Sequence, residues 1–179
     1  AWVQQPPDET LNPNFIQYLS DPLPEAMELT GPAAFYFHAS IDQPDATFIV
    51  SVRDVAPSGK EVELTKGFLK ASHRELDDAR SLPYEPYHPH LKPEPVTPGD
   101  INEYAISLAP LSNIFKKDHR IKLVMSSLDH ARARNYELAP ESLGRTHAPW
   151  HVTSSMTTLH KIFHDEDHPS YLLLPVIPS

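Results

Sequence analysis

The stretch GFLKASHRELD, residues 67–77, sets Ser72, His73, Glu75 and Asp77 within six positions. Serine, histidine and a carboxylate are the residue types of a hydrolytic triad: a nucleophile, its general base and the acid that orients the base. Whether they can cooperate depends on the element that carries them. Adjacent side chains on a strand point to opposite faces, and adjacent side chains on a helix do not face one another. Either element separates Ser72 from His73. A nucleophilic serine commonly sits on a strained G-x-S-x-G turn. The five glycines, at 31, 59, 67, 99 and 144, build no such turn. The chain is therefore expected to carry no catalytic residue of its own. On an extended chain Ser72 shares a face with Arg74, and His73 shares one with Glu75. A guanidinium can fork hydrogen bonds to a carboxylate or to loop carbonyls. Arg74 and Arg120 are expected to be such struts, with Asp54 and the proline-rich loop 77–99 as partners. His73 and His119 join them as structural or interface residues.

Eleven histidines raise a second chemistry. His160, His164 and His168 follow the i, i+4, i+8 spacing of one helical face, beside Asp165, Glu166 and Asp167, a pattern that could hold zinc. Threonine-rich sequence before the trio and Pro169 after it favour a solvated acidic loop instead, so the expectation is no bound metal and no cofactor. A third chemistry is sugar binding, for which Tyr84, Tyr87, Trp150 and His151 supply aromatic and polar side chains. Loop packing, or contact with a partner domain, explains these aromatics more simply.

The elements that must position these residues are short. The 179 residues include 20 prolines, about twice the usual ~5%. Proline breaks helix interiors and central strands, so long loops are expected between brief elements. Residues 1–26 hold five prolines and little periodicity and read as an extended arm or linker, ahead of a domain at 27–179. Strands are expected in AAFYFHAS and in TFIVSVRDV, where Phe48, Val50 and Val52 alternate with Ile49, Ser51 and Arg53. Pro57 and Gly59 suit a turn into KEVELT, which makes a hairpin. Residues 77–99 form a long loop, and TPGD at 97–100 is a type II turn. Further strands follow in EYAISLAP, with Tyr104, Ile106 and Leu108 on one face, and in HRIKLVMSS, with Ile121, Leu123 and Met125. One helical turn is expected near 131–138, then strands in HVTSSMTTLHKIFH and SYLLLPVI. Seven or more short strands with long crossovers predict an all-β jelly-roll sandwich.

Charge narrows the partners. A net charge of −9 lacks the basic footprint of a nucleic-acid binder and disfavours anionic membranes. There is no cysteine, so disulfides, thiol catalysis and zinc–thiolate sites are excluded. The longest apolar run, YLLLPVI, is far short of a membrane span. The first residues show no signal peptide, which makes a cytoplasmic location the expectation for a piece of a longer protein.

The landmarks resemble a known family when read in order. YLSDPLPEAMELTGP, FIVSVRDVAPSGKEVELTKGFLKASHREL, PEPVTPGDINEYAISLAPLSNIFKKDHRIKLVMSSLDHARARN and HPSYLLLPVIP are similar to the C-terminal β domain of the CocE/NonD serine hydrolases, the superfamily that includes X-Pro dipeptidyl-peptidases. Together they span roughly residues 18–178. The resemblance implies a galactose-binding-domain-like jelly roll without catalytic residues. It also implies a partner, the α/β-hydrolase domain of the same protein, whose substrate pocket this domain helps shape. Asp118 stands where the family usually has glycine, and aspartate tolerates the left-handed backbone needed there. An isolated domain of this kind is expected to expose apolar surface that could drive self-association.

Overall fold

The structure, a computed structural model, describes residues 2–4, 15–127 and 157–178. Nine strands appear among them: β1 (Trp2–Gln4), β2 (Phe15–Leu19), β3 (Met27–Ile41), β4 (Thr47–Val55), β5 (Glu61–Lys70), β6 (Asn102–Phe115), β7 (Arg120–Ser126), β8 (Thr158–Phe163) and β9 (Tyr171–Leu173). They form two antiparallel sheets packed face to face, the jelly-roll β-sandwich expected. One sheet runs β1-β8-β3-β6, and β9 joins it along β3. The other runs β2-β7-β4-β5. Residues 1–26 are not only an arm: they supply β1, an edge of the first sheet, and β2, an edge of the second. No helix among the described residues is long and apolar enough to cross a membrane.

β3 organises the first sheet. Leu29, Ala33, Phe35, Phe37, Ala39 and Ile41 are buried at every second position beyond a bulge. The bulge falls between Gly31 and Ala33, where Pro32 has no N–H to give the ladder and Gly31 takes a φ of +138°. β6 follows one edge of β3, while β8 and β9 share the other, at His38–Ile41 and Ala34–Tyr36. Facing this sheet, Phe48, Val50 and Val52 of β4 close the core with Leu123 and Met125 of β7. Phe37 meets Tyr104 in a stack at 5.3 Å and Phe48 edge-on at 5.1 Å. Such offset and T-shaped ring pairs suit the quadrupoles of the rings.

The turns obey local rules. Gly59 (φ 82°) closes the β4–β5 hairpin, and Gly99 (φ 91°) sits in the TPGD turn, where the Asp100 amide donates to Thr97 O at 3.1 Å. Asp118 takes the left-handed φ of 65° that the turn before β7 requires. The strand expected over SYLLLPVI narrows to β9, after which Val176 makes a single bridge to Leu29. The helical turn expected near 131–138 and the first residues of HVTSSMTTLHKIFH lie outside the described residues.

Candidate functional site

β5 ends at Lys70, and one 3-10 turn, Ala71–His73, carries the chain into the long loop. The extended backbone therefore stops before Ser72. Asp45 holds the turn: Ser72 N–H donates to its Oδ1 and the Ser72 hydroxyl to its Oδ2, both at 2.9 Å. Ser72 is buried. His73 does not reach it; its ring packs 5.2 Å from His90, which lies 5.7 Å from His88. Asp77 accepts from the amide of Ala79, and Glu75 is exposed. A serine nucleophile needs a base on its hydroxyl. Here that hydroxyl donates to a carboxylate that is already engaged with the turn, so the group is a cap. Asp45, the residue that decides this, lies 27 positions away in a loop; its only signal in the sequence is an aspartate just before a strand.

Arg74 extends from the same turn. Its Nη1 donates to Glu94 O at 2.6 Å and to Ala71 O at 3.3 Å, which ties the start of the 77–99 loop to its end. The loop is fastened again where Tyr36 Oη donates to Pro83 O at 2.9 Å. His88 bridges Glu75 O and Ala105 O through its two ring nitrogens, at 2.9 and 2.7 Å. Substituting Arg74→Met should lower the unfolding free energy by about 1–3 kcal/mol, since two carbonyls lose a charged donor. A urea midpoint that does not move would show that the guanidinium braces nothing.

Among the described residues the partner of Asp54 is a histidine, not Arg74 or Arg120. His119 Nδ1 sits 2.7 Å from its Oδ1, while Arg53 next to it pairs with Glu61 and Glu63. Arg120 donates to Ser20 O at 3.0 Å, fastening β7 to the turn after β2. These contacts join β2, β4 and β7 at one end of the second sheet. The local pattern could place the residues but could not choose between histidine and arginine for Asp54.

The histidine trio does not assemble. His160 lies on β8, in the stretch expected to be strand, so the i, i+4 spacing does not gather the rings. His160 lies fully buried against Phe48, ring centroids 5.4 Å apart. His164 is exposed and faces Tyr18 edge-on, and His168 is held by Asp165 at 2.8 Å. That contact and the turn amides of Asp167 and His168 keep the Asp165 carboxyl below the usual carboxylate range. Among the described residues no three His, Asp or Glu side chains are arranged to hold a metal ion. Of the aromatics considered for sugar, Tyr84 is exposed, Tyr87 lies 3.6 Å beneath the Arg80 guanidinium, and Trp150 and His151 lie outside the described residues.

Sequence reasoning missed one serine–histidine contact. Ser127 Oγ lies 3.3 Å from His160 Nε2, with the Asp42 carboxylate close enough to act on the ring electrostatically. Burial outweighs Asp42 and pushes the imidazole down to about 3, so it is neutral at ordinary pH. At 3% and 0% exposure, neither residue can meet a substrate. The 33 positions between them leave no local signal.

Ser72 thus belongs to a turn cap, His88 braces the long loop, His119 pairs with Asp54 and His160 fills the core. A family model described as the X-Pro dipeptidyl-peptidase C-terminal non-catalytic domain matches residues 2–173. The chain belongs to that family. It is 31% identical over 132 residues to a presumed serine esterase of Mycobacterium bovis, covering 71% of this chain and 21% of that protein. It is 26% identical over 161 residues to the cocaine esterase of a Rhodococcus strain, covering 89% of this chain and 25% of the esterase. The fold matches a CocE/NonD family hydrolase of Staphylococcus aureus with a TM-score of 0.78 at 19% identity, over 99% of this chain and 33% of the other. The chain spans only a fifth to a third of the length of these proteins. In this non-catalytic domain Ser72 and Arg74 stiffen the β5–β6 crossover.

Proposed function

We propose that this domain packs on an α/β-hydrolase portion of the same protein and forms part of the wall of its substrate pocket. The reaction of the whole protein is acyl transfer to water at an ester or amide, with the nucleophile supplied by the other portion. The observation that carries this reading is Ser72: the serine in the most triad-like stretch is buried and its hydroxyl is committed to Asp45. The family match over residues 2–173 supports the same reading. The purified 179-residue chain is expected to hydrolyse p-nitrophenyl acetate no faster than buffer does. Turnover by this chain that disappears in Ser72→Ala would refute the reading.

A further inference from the structure

Along one border of the sandwich the two sheets do not close. β2 of the second sheet and β9 of the first leave a groove of about 450 Å³, with Tyr18 and Leu172 on its walls and Phe35 and Leu123 from the core at its base. A second groove of about 450 Å³ runs between residues 23–28 and Val176–Pro178, with Ile114 at its side. Both are built from the same two segments, 18–28 and 170–178. The Thr30 amide donates to Pro175 O at 3.0 Å and the Ile177 amide to Glu28 O at 2.9 Å, which binds those segments into one seam.

The domain exposes twelve large apolar side chains among the described residues, and six of them lie on or beside this seam: Tyr18, Leu19, Ile114, Tyr171, Val176 and Ile177, at 38–60% exposure. Single exposed apolar residues are ordinary, but six gathered at two grooves built from the same segments mark a surface that something covers. Among the described residues the acids lining the seam are Glu25 and Glu28, and no lysine or arginine lines either groove. A second copy docked seam to seam through a two-fold axis would bring those acids toward their own equivalents, on chains of net charge −9. The relatives point to a different occupant. Two-thirds or more of their length lies outside the match, and the family is by description a C-terminal domain. A tethered neighbour meets the seam at high effective concentration.

We propose that this seam, lined by Tyr18, Leu19, Ile114 and Tyr171 to Ile177, is the surface on which the catalytic portion docks through an apolar patch with a neutral or basic rim. The proposal rests on the reading given under Proposed function and adds the face. It is tested by hydrogen exchange on two proteins: the intact product of the reading frame that contains these residues, and the 179-residue chain alone. Amides of 18–28 and 171–177 are expected to exchange about tenfold more slowly in the intact protein. Leu19→Glu and Ile114→Glu should lower the midpoint of the intact protein and split its unfolding into two steps, while Leu91→Glu, on the loop, should not. None of the three should shift the isolated chain by more than a surface substitution does. Protection that falls elsewhere, on the 77–99 loop for instance, overturns this inference but leaves the packing reading standing. Independent unfolding of the two portions with no new protection anywhere removes both. Dimerisation of the isolated chain that protects the seam makes it a self-association face and overturns the proposal.

Discussion

Substituting Gly67→Ala is expected to destabilise the domain by about 3 kcal/mol or more, the upper end of overpacking costs. At position 67 β5 crosses β6 of the opposite sheet, backbone against backbone. A Cβ there would lie 2.4 Å from Ser107 O, 2.6 Å from Ile106 Cγ2 and 2.8 Å from Leu108 Cδ2. The first of these is a main-chain atom inside a ladder and cannot swing away. Thr65, two residues earlier, donates its hydroxyl to Ala109 O and pins the same crossing, so the strands cannot easily separate to make room. For a domain of this size the loss corresponds to a fall in Tm of roughly 6–12 °C. Gly59→Ala is the control: its φ of +82° disfavours a side chain, but nothing lies within 4 Å of the added carbon. It should cost only about 1–2 kcal/mol of backbone strain. Thermal unfolding of both variants checks the pair. Equal losses would mean that the crossing is looser than the distances state.

The second expected result is acid sensitivity centred on His160. Its imidazole is held down to about 3 by burial in the folded chain, against about 6.5 when unfolded. Between those values the unfolded chain binds a proton that the folded chain refuses. The stability from His160 is therefore fully present above pH 6.5 and is lost as the pH falls toward 3. Each unit costs about 1.4 kcal/mol, so about 2 kcal/mol has gone by pH 5. His160→Gln cannot titrate. Urea unfolding at pH 7.5 and pH 5 should show the parent losing about 2 kcal/mol more than the variant, whatever the variant's absolute stability. Parallel losses would place the acid sensitivity on other groups. The window stays above the range where Glu61 titrates, whose carboxyl is held low first by the hydrogen bond from Lys122.

The two results share a cause. Gly67 and His160 both sit where opposite sheets meet, and both depend on atoms far away in sequence. The substitutions that read as chemically interesting from sequence, at Ser72 and His73, touch a cap and a loop. In a small sandwich the tight places are the strand crossings and buried polar groups, because the core is packed near crystal density and has little room to relax.

Much of the architecture was legible locally. Phe48, Val50 and Val52 alternate because a half-buried strand repeats every two residues, and they face the core as that period requires. Pro57 and Pro98 mark turns because proline presets φ, and Gly59 and Gly99 because glycine takes the positive φ that other residues resist. The histidine trio shows how far a spacing depends on the element that carries it. Spacing of four implies a shared face only on a helix, and the threonine-rich segment before it is strand.

Sequence alone determined the class of fold, the turns and the absence of a nucleophile elbow, because these depend on φ preferences and periodicity within a few residues. It could not name Asp45 as the partner of Ser72, nor Glu94 O and Ala71 O as acceptors for Arg74. A backbone carbonyl carries no residue identity, and a partner 20 or 27 positions away is brought close only by the fold. The tertiary structure alone set Gly67 against Ser107 and buried His160. It also joined residues 18–28 to 170–178 in one apolar seam, because contact across a sandwich is decided by which strands pair and not by which residues are neighbours in the chain.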